Sequence, residues 1–408
     1  MATASGNFDA RNIVERDDRY VVRNYGRYPL VVRRAEGVYL HDERDRPHLD
    51  FLSGIGVMAL GHSHPRVTRA ISDQLGTLVH CSNLYYHPNQ GAVAERLATL
   101  SGLQRTFFCN SGAEAVECAL KIAKGHGRAR AGAKHEIVAL HNSFGGRTLG
   151  AISVTGQPKY SEPFAPLIPG VRFVHPNDSA GLEEAVGPNT AAIVFEPVLG
   201  EGGIVTIDEE FAALARRLAS ANDALLVYDE IQCGMGRTGE AFAFQHWSGD
   251  CVPDVITLAK PLAAGLPIGA VVCNEAAAAV LGPGMHGSTF GGGALACRVA
   301  VEFLDMLPGL LPHVRAIGAY FRSRLEGLSK RFDFVGGLRG KGLMVGLELA
   351  VPGGEFVPRA QDLGLLINCT AGNILRFLPP YVIEREHVDE AVGVLERLFR
   401  EGPSPSEG

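Results

Sequence analysis

Eight short segments of this chain carry few polar side chains: RTFFC (105–109), EIVAL (136–140), GAISVT (150–155), VRFVH (171–175), AAIVFEP (191–197), ALLVYDE (224–230), DVITLA (254–259) and GAVVC (269–273). A strand that is apolar on both faces must be covered on both faces. Amphipathic helical patterns such as DEEFAALARRLASAND (208–223) lie between some of these runs. Strands of this kind alternating with helices predict an α/β fold with a mostly parallel central sheet and helices on both faces. Ligands of such sheets sit at the carboxyl ends of the strands.

The flanks read differently. YPLVVRR, GVYLHD and RPHLDFL, within residues 28–52, predict a small sheet with a charged turn at 42–46. Helices are expected at PRVTRAISDQLGTL and NQGAVAERLATLS. From about residue 300 come two long helical segments, ALACRVAVEFLDML (294–307) and HVRAIGAYFRSRLEGLSKRF, then the strands KGLMVGLEL, GLLINCT and NILRFLP and a last helix near 385–400. The expected organisation is an N-terminal segment (1–60) and a C-terminal part (301–400) that together build a smaller α+β domain. They flank a large α/β domain (61–300), and the polar tail 401–408 is expected to be disordered.

With 408 residues, 46% of them hydrophobic, the chain can bury a large core. A formal charge of -6 without a basic patch points away from nucleic acid. Apolar runs are short or interrupted, so no membrane span is expected, and no secretory leader is legible. Eight scattered cysteines without a CxxC pair suit reduced thiols and a cytoplasmic setting. His62 and His64 in GHSHP could form a metal pair, but no third ligand has a suitable spacing, and a structural turn is the preferred reading; no metal is expected.

The run Leu225–Tyr228 stops at two adjacent carboxylates, Asp229 and Glu230, followed by Gln232 and glycines at 234, 236 and 239. A Walker B strand would end this way, but the chain has no GxxxxGK[ST]. GMGRTG holds GxGxxG, yet it follows the acids instead of opening a dinucleotide unit. Lysine is scarce, seven residues against 31 arginines, and Lys260 is the only one between Lys159 and Lys330. It follows an apolar strand and precedes Pro261. A buried lysine is costly unless neutralised, paired or used covalently; the plain alternative is an exposed loop lysine. CNSGAEAVECALKIAK runs from a strand end into a helix, with Ser111 at the N-cap and Glu114 completing a capping-box pattern. Its first amides at Gly112 and Ala113 suit a phosphate, or simply make a well-capped helix. HGSTFGGG offers Ser288 and Thr289 in a second phosphate-compatible turn. An acid, a lone lysine and a phosphate cradle are the three things pyridoxal phosphate needs. Phe144 in HNSFGGRTLGA supplies an aromatic face for its ring.

With DFLSGIGVMALGHSHP, CSNLYY, NSGAEA, NSFGGRTLGA, FEPVLGEGG, DEIQCGMGRTG, LAKPLAAGLPIG, HGSTFGG and LRFLPP, the chain resembles the class III (ornithine-type) pyridoxal-phosphate aminotransferases from about residue 20 to 400. Within that class it looks closest to the members that use acetylornithine. The resemblance implies the aspartate-aminotransferase-like fold. It makes Lys260 the lysine that binds the cofactor covalently and shuttles the proton, Asp229 the partner of the ring nitrogen, and Gln232 the contact of the ring hydroxyl. Glu230 stands beside Asp229 in the cofactor set. Ser111, Gly112 and Ala113 become the phosphate cradle and Phe144 the stacking ring. Thr289 would reach the phosphate of a neighbouring subunit, which implies a homodimer, with Ser288 close to substrate. Arg147 would grip one substrate carboxylate and Arg376 the α-carboxylate of glutamate or 2-oxoglutarate. Glu201 would pair with Arg376 when the other substrate is bound.

Two positions depart from the class. Gly145 stands where it usually has histidine, and GGGALA stands near residue 293 for GGNPLA; altered loop packing is expected from the first and a looser helix start from the second. Ile55, in SGIGV, stands where ornithine-specific members carry tyrosine, and an apolar wall there suits an acylated amine. The implied reaction takes the terminal amine of N-acetylornithine to 2-oxoglutarate, giving N-acetylglutamate 5-semialdehyde and glutamate in arginine biosynthesis. Succinylornithine, succinyl-diaminopimelate, carrier-linked lysine and ornithine are alternative donors. A non-transaminating cofactor binder would have no use for Glu201 and Arg376 together, and a nicotinamide-dependent oxidoreductase lacks its fingerprint.

Overall fold

The computed structural model describes residues 9–130, 134–249 and 251–403. The expected disordered tail falls mostly on 404–408, outside the described residues; Glu401 ends the last helix and Gly402 caps it.

Seven strands form the central sheet, in the order Arg105–Cys109, Gly269–Cys273, Val255–Leu258, Leu225–Asp229, Thr190–Phe195, Glu136–Leu140, Val171–Val174. Gly269–Cys273 runs antiparallel to both neighbours; the other pairings are parallel. All five residues of Leu225–Asp229 are buried, as a central strand covered on both faces requires. The parallel strands Thr190–Phe195 and Leu225–Asp229 pair Phe195 with Tyr228, which brings the acids that follow, Glu196 and Asp229, to the same carboxyl edge.

Of the eight apolar runs, GAISVT is not a strand. Leu149–Ser153 is a short helix, and the Glu117 carboxylate accepts hydrogen bonds from the Gly150 and Ala151 amides at 2.8 and 3.3 Å. Those contacts satisfy helix-end donors and override the β-branched composition.

The two helical segments after residue 293 are one helix, Ala294–Ser329, which continues through Pro308 and Pro312. It packs on helices Pro65–Leu75, Pro88–Ser101 and Arg385–Glu401. Val32–Glu36, Tyr39–Asp42 and Pro47–Asp50 form an antiparallel sheet, joined in parallel by Leu365–Leu366, so the two ends of the chain share one sheet. A separate four-stranded sheet, Val335–Lys341, Met344–Leu349, Ile374–Phe377 and Asn368–Thr370, carries Arg376 in its third strand. Among the described residues no helix is long and apolar enough to cross a membrane.

Candidate active site

Asp229 lies buried at the end of its strand, where Oδ1 accepts the Ile231 amide at 3.0 Å. Burial raises its carboxyl to about 6, against the Ile231 amide and the positive charge of Lys260. Lys260 follows the neighbouring strand Val255–Leu258 and opens a short 3-10 turn. Burial pushes its amine below the ordinary lysine range; Glu201, Asp229 and Glu196 oppose that shift and Arg376 adds to it. The sheet edge thus gathers one amine, three carboxyls and one guanidinium.

Arg376 is almost wholly buried. Its Nη1 donates to Glu201 Oε1 at 2.5 Å, to the Gly200 carbonyl at 3.2 Å and to Gln232 Oε1 at 3.2 Å, while Nε donates to Asn368 Oδ1 at 3.1 Å. Burial alone would raise the Glu201 carboxyl; Arg376 outweighs it and holds the acid below its usual range. Gln232, expected at a ring hydroxyl, is therefore engaged with the Glu201–Arg376 pair. A Cβ on Gly200 would stand 2.2 Å from Gln232 Oε1, so a larger residue there would push the Gln232 amide from its present place.

Arg147 is exposed and has no acid partner among the described residues. Its guanidinium lies 4.0 Å over the Tyr160 ring and 5.5 Å from the Phe144 ring, and the two rings meet edge to face at 6.0 Å. Phe144 is fixed by its backbone, whose amide donates to Glu196 Oε2 at 2.9 Å. Its neighbour Gly145 donates to Thr155 Oγ1 at 2.9 Å, and a Cβ at 145 would lie 2.7 Å from the Ala151 carbonyl oxygen. The loop is packed for glycine at that position. A Cβ on Gly146 would in turn press to 2.9 Å on Ala113 Cβ, which sets this loop directly against the start of helix Gly112–Arg128.

Ser111 caps that helix, its Oγ accepting the Glu114 amide at 3.2 Å. The capping box is only half made, because Glu114 reaches back to the Asn110 amide (2.8 Å) and not to Ser111. The Gly112 and Ala113 amides donate to no backbone carbonyl among the described residues. Two free amides, a desolvated amine and a buried carboxyl at one sheet edge match the phosphate, aldehyde and ring nitrogen of pyridoxal phosphate, so these residues fit that cofactor.

Three further expected residues make other contacts within this chain or none. The Glu230 carboxylate accepts the Ala243 and Phe244 amides at 2.8 and 2.9 Å, a structural use, and burial raises it to about 7. Ser288 Oγ accepts from Asn110 Nδ2 and from the Gly291 amide, both at 3.0 Å, so its hydroxyl holds a turn. Thr289 is exposed beside Phe290. His62 is bonded to Asp50 at 2.8 Å, and His64 sits at the N-cap of helix Pro65–Leu75.

Asp50 also anchors an unusual turn. Its Oδ1 accepts the Leu52 and Ser53 amides, and Ser53, Gly54, Ile55 and Gly56 all take positive φ (47°, 63°, 63° and 81°). Ile55 is β-branched, and its left-handed conformation is strained. A Cβ on Gly56 would lie 3.9 Å from Lys260 Cδ, which places this turn beside the lysine.

Glu196 and Tyr160 were not singled out in the sequence. Glu196 has the signal that drew attention to Asp229, an apolar strand ending in an acid. Tyr160 has none, since its contact with Arg147 depends on how the intervening chain folds back.

A family model described as aminotransferase class-III matches residues 20–399. The chain is 44% identical over 393 residues to the acetylornithine aminotransferase of Methanocaldococcus jannaschii, covering 96% of this chain and 98% of that one. It is also 44% identical over 381 residues to the acetylornithine aminotransferase of Aquifex aeolicus, covering 93% of this chain and 100% of that one. Among solved structures, ornithine aminotransferase from Toxoplasma gondii, with partial occupancy of PLP at its active site, superposes with a TM-score of 0.91 at 33% identity, covering 96% and 94% of the two chains.

Proposed function

Because the chain belongs to the class-III aminotransferases, we propose that it transfers the terminal amino group of N-acetylornithine to 2-oxoglutarate, with pyridoxal phosphate as cofactor. The products are N-acetylglutamate 5-semialdehyde and glutamate, a step of arginine biosynthesis. The observation that carries this reading is the pair of Glu201 with the buried Arg376 at 2.5 Å beside Lys260, together with the exposed Arg147, which has no acid partner among the described residues. Glutamate has two carboxylates to bind and the acylated donor has one, so a site serving both in turn needs one arginine always available and one that can be masked. Glu201 masks Arg376 while the donor is bound and releases it to the dicarboxylate.

Lys260 would hold the cofactor covalently, Asp229 would face its ring nitrogen, Phe144 its ring, and Ser111, Gly112 and Ala113 its phosphate. When bound, pyridoxal phosphate supplies the electron sink that lets a carbon–hydrogen bond next to the amine break. The Lys260 amine, its proton affinity lowered by burial, takes that proton and returns it. Arg147 and Arg376 orient the substrate ends, and Ile55 offers an apolar neighbour to an uncharged acyl group. The 44% identity to acetylornithine aminotransferases supports this choice of donor.

Two further features belong to the same reading. Leu84, Tyr85, Tyr86 and Phe290 are 83%, 69%, 104% and 68% exposed, and Asn83 Nδ2 ties their two loops by donating to the Ser288 and Gly291 carbonyls. A second copy of the chain would cover this surface and receive Thr289 in its own phosphate site. All eight cysteines are free, which suits a cytoplasmic enzyme.

The test is a single-turnover spectrum. Protein loaded with pyridoxal phosphate is mixed separately with N-acetylornithine, ornithine, succinylornithine and 4-aminobutyrate while the visible band of the bound cofactor is followed. Fast bleaching with N-acetylornithine and slow bleaching with the others is expected. Fastest bleaching with another donor would replace the substrate and keep the chemistry; no visible band would overturn the reading.

A further inference from the structure

Glu196 directly follows the strand Thr190–Phe195, Asp229 ends the adjacent one, and the two are neighbours at the sheet edge. Glu196 is buried, and its two oxygens go to two different functional segments. Oε2 accepts the amide of Phe144 at 2.9 Å, and Oε1 accepts the amide of Gly200 at 3.0 Å. Phe144 carries its aromatic ring on the loop whose Gly146 packs against the start of helix Gly112–Arg128. Gly200 presents its carbonyl to Arg376 Nη1 at 3.2 Å and precedes Glu201, the acid that closes on the same nitrogen. One carboxyl therefore fixes the cofactor side of the site with one oxygen and the dicarboxylate side with the other.

We infer that Glu196 is a positioning residue that locks the ring-stacking loop at Phe144 to the Gly200–Glu201 turn, so that the arginine switch opens against a fixed cofactor seat. The inference rests on the aminotransferase reading above, and not on which amine is the donor. Only a group with two acceptor oxygens on one short stem can serve both amides at once. Glutamine keeps the shape, but offers one acceptor and turns an NH₂ towards the second amide, leaving that buried donor unsatisfied. Burial and the nearby Asp229 raise the Glu196 carboxyl to about 8, and the two amides it accepts, with Lys260, pull it back towards the carboxylate.

The experiment uses the holoenzyme with Glu196→Gln and Glu196→Asp and reads three quantities. These are the dissociation constant of pyridoxal phosphate, KM for 2-oxoglutarate in the glutamate half-reaction, and KM for the amine donor. For Glu196→Gln, the first two are expected to rise about 10-fold each, the size of one buried amide left without its acceptor, while the donor KM changes less than about 3-fold. Glu196→Asp keeps the two oxygens on a shorter stem and should recover part of both losses. Wild-type values for cofactor and 2-oxoglutarate, or equal losses for both substrates accompanied by a lowered Tm, would overturn the inference. Should the Gln variant not fold, the Asp variant is decided by the same comparison. The glutamate half-reaction needs no knowledge of the donor, so a wrong donor leaves it readable, whereas a chain without aminotransferase chemistry shows no such half-reaction in the wild type.

Discussion

Arg376 Nη1 meets Glu201 Oε1 at 2.5 Å with the guanidinium almost wholly buried, so Glu201 masks the arginine proposed to take a substrate carboxylate. The mask is not a single contact. The Gly200 carbonyl and the Gln232 amide oxygen share the same nitrogen, and Asn368 holds Nε. On the proposed function, a dicarboxylate would displace Glu201 while the other partners keep the arginine oriented.

Removing one member of the pair should therefore affect the two half-reactions differently. Arg376→Ala should raise KM for 2-oxoglutarate about 10- to 100-fold, the range of one lost charge-assisted interaction, and change donor binding much less. Glu201→Gln should lower KM for glutamate, because the arginine no longer has to be released from a charge. Steady-state kinetics with each substrate varied in turn checks both, and equal effects on the two half-reactions would refute the switch.

Lys260→Ala should still take up cofactor through its phosphate seat but lose turnover by at least about 10³-fold, since proton transfer to and from the substrate has no replacement group. Retained pyridoxal phosphate is read from the absorbance of the bound cofactor after gel filtration, and turnover from glutamate formed. Near wild-type turnover would remove Lys260 from its assigned role.

Much of this site was legible in the sequence because strand ends are legible. The run Leu225–Tyr228 has no interruption before Asp229, and the lysine-poor composition isolates Lys260. What was not legible depends on chain reversal. GAISVT has strand composition, yet forms a helix because Glu117, on a helix that precedes it by more than thirty residues, caps it. The capping box at Ser111 was half right, since Glu114 turned to Asn110. Nothing in the order of residues says that Arg147 will lie on Tyr160, or that four consecutive residues from Ser53 will take left-handed backbone.

Glu230 gives a pH-dependence of stability separable from catalysis, because both its oxygens are used by the Ala243 and Phe244 amides. Burial raises its carboxyl to about 7 in the folded chain, against an unfolded value near the ordinary glutamate range. Between those values the folded state binds a proton that the unfolded state has released. This contribution is present in full below the unfolded pKa and declines as pH rises towards and past 7. Glu230→Gln should therefore flatten part of the decline in Tm of the cofactor-free protein between pH 5 and 8. A Tm profile parallel to that of the wild type would show that Glu230 does not titrate in this range.

Gly145 tests the one departure from the family's usual loop for which the structure gives a steric reason. A Cβ there would stand 2.7 Å from the Ala151 carbonyl oxygen and 2.9 Å from Val154 Cγ2, so restoring histidine, or adding only a methyl group, must move the loop. Gly145→Ala should cost about 1–3 kcal/mol, the range for overpacking. It should also loosen cofactor binding, because the amide of residue 145 bonds Thr155 and that of Phe144 bonds Glu196. Thermal melts and cofactor titration measure both; an unchanged Tm would mean the loop relaxes without cost.

Ile55 carries the substrate argument, and its backbone makes that argument sharper. At φ 63° and ψ 50° it occupies a region that costs a β-branched residue about 1–3 kcal/mol, and the turn is held by Asp50 and by Ser53 Oγ donating to the Leu378 carbonyl at 2.5 Å. Ile55→Asn should relieve part of the strain and raise Tm, yet weaken N-acetylornithine use by removing apolar surface beside Lys260. Ile55→Tyr should also lower kcat/KM for N-acetylornithine while raising that for ornithine, because a phenol can bond a free α-amine that an isoleucine cannot. Competition between the two donors reads the ratio directly. If neither substitution changes it, the acyl end of the substrate is read elsewhere, and the turn beside Lys260 is structural.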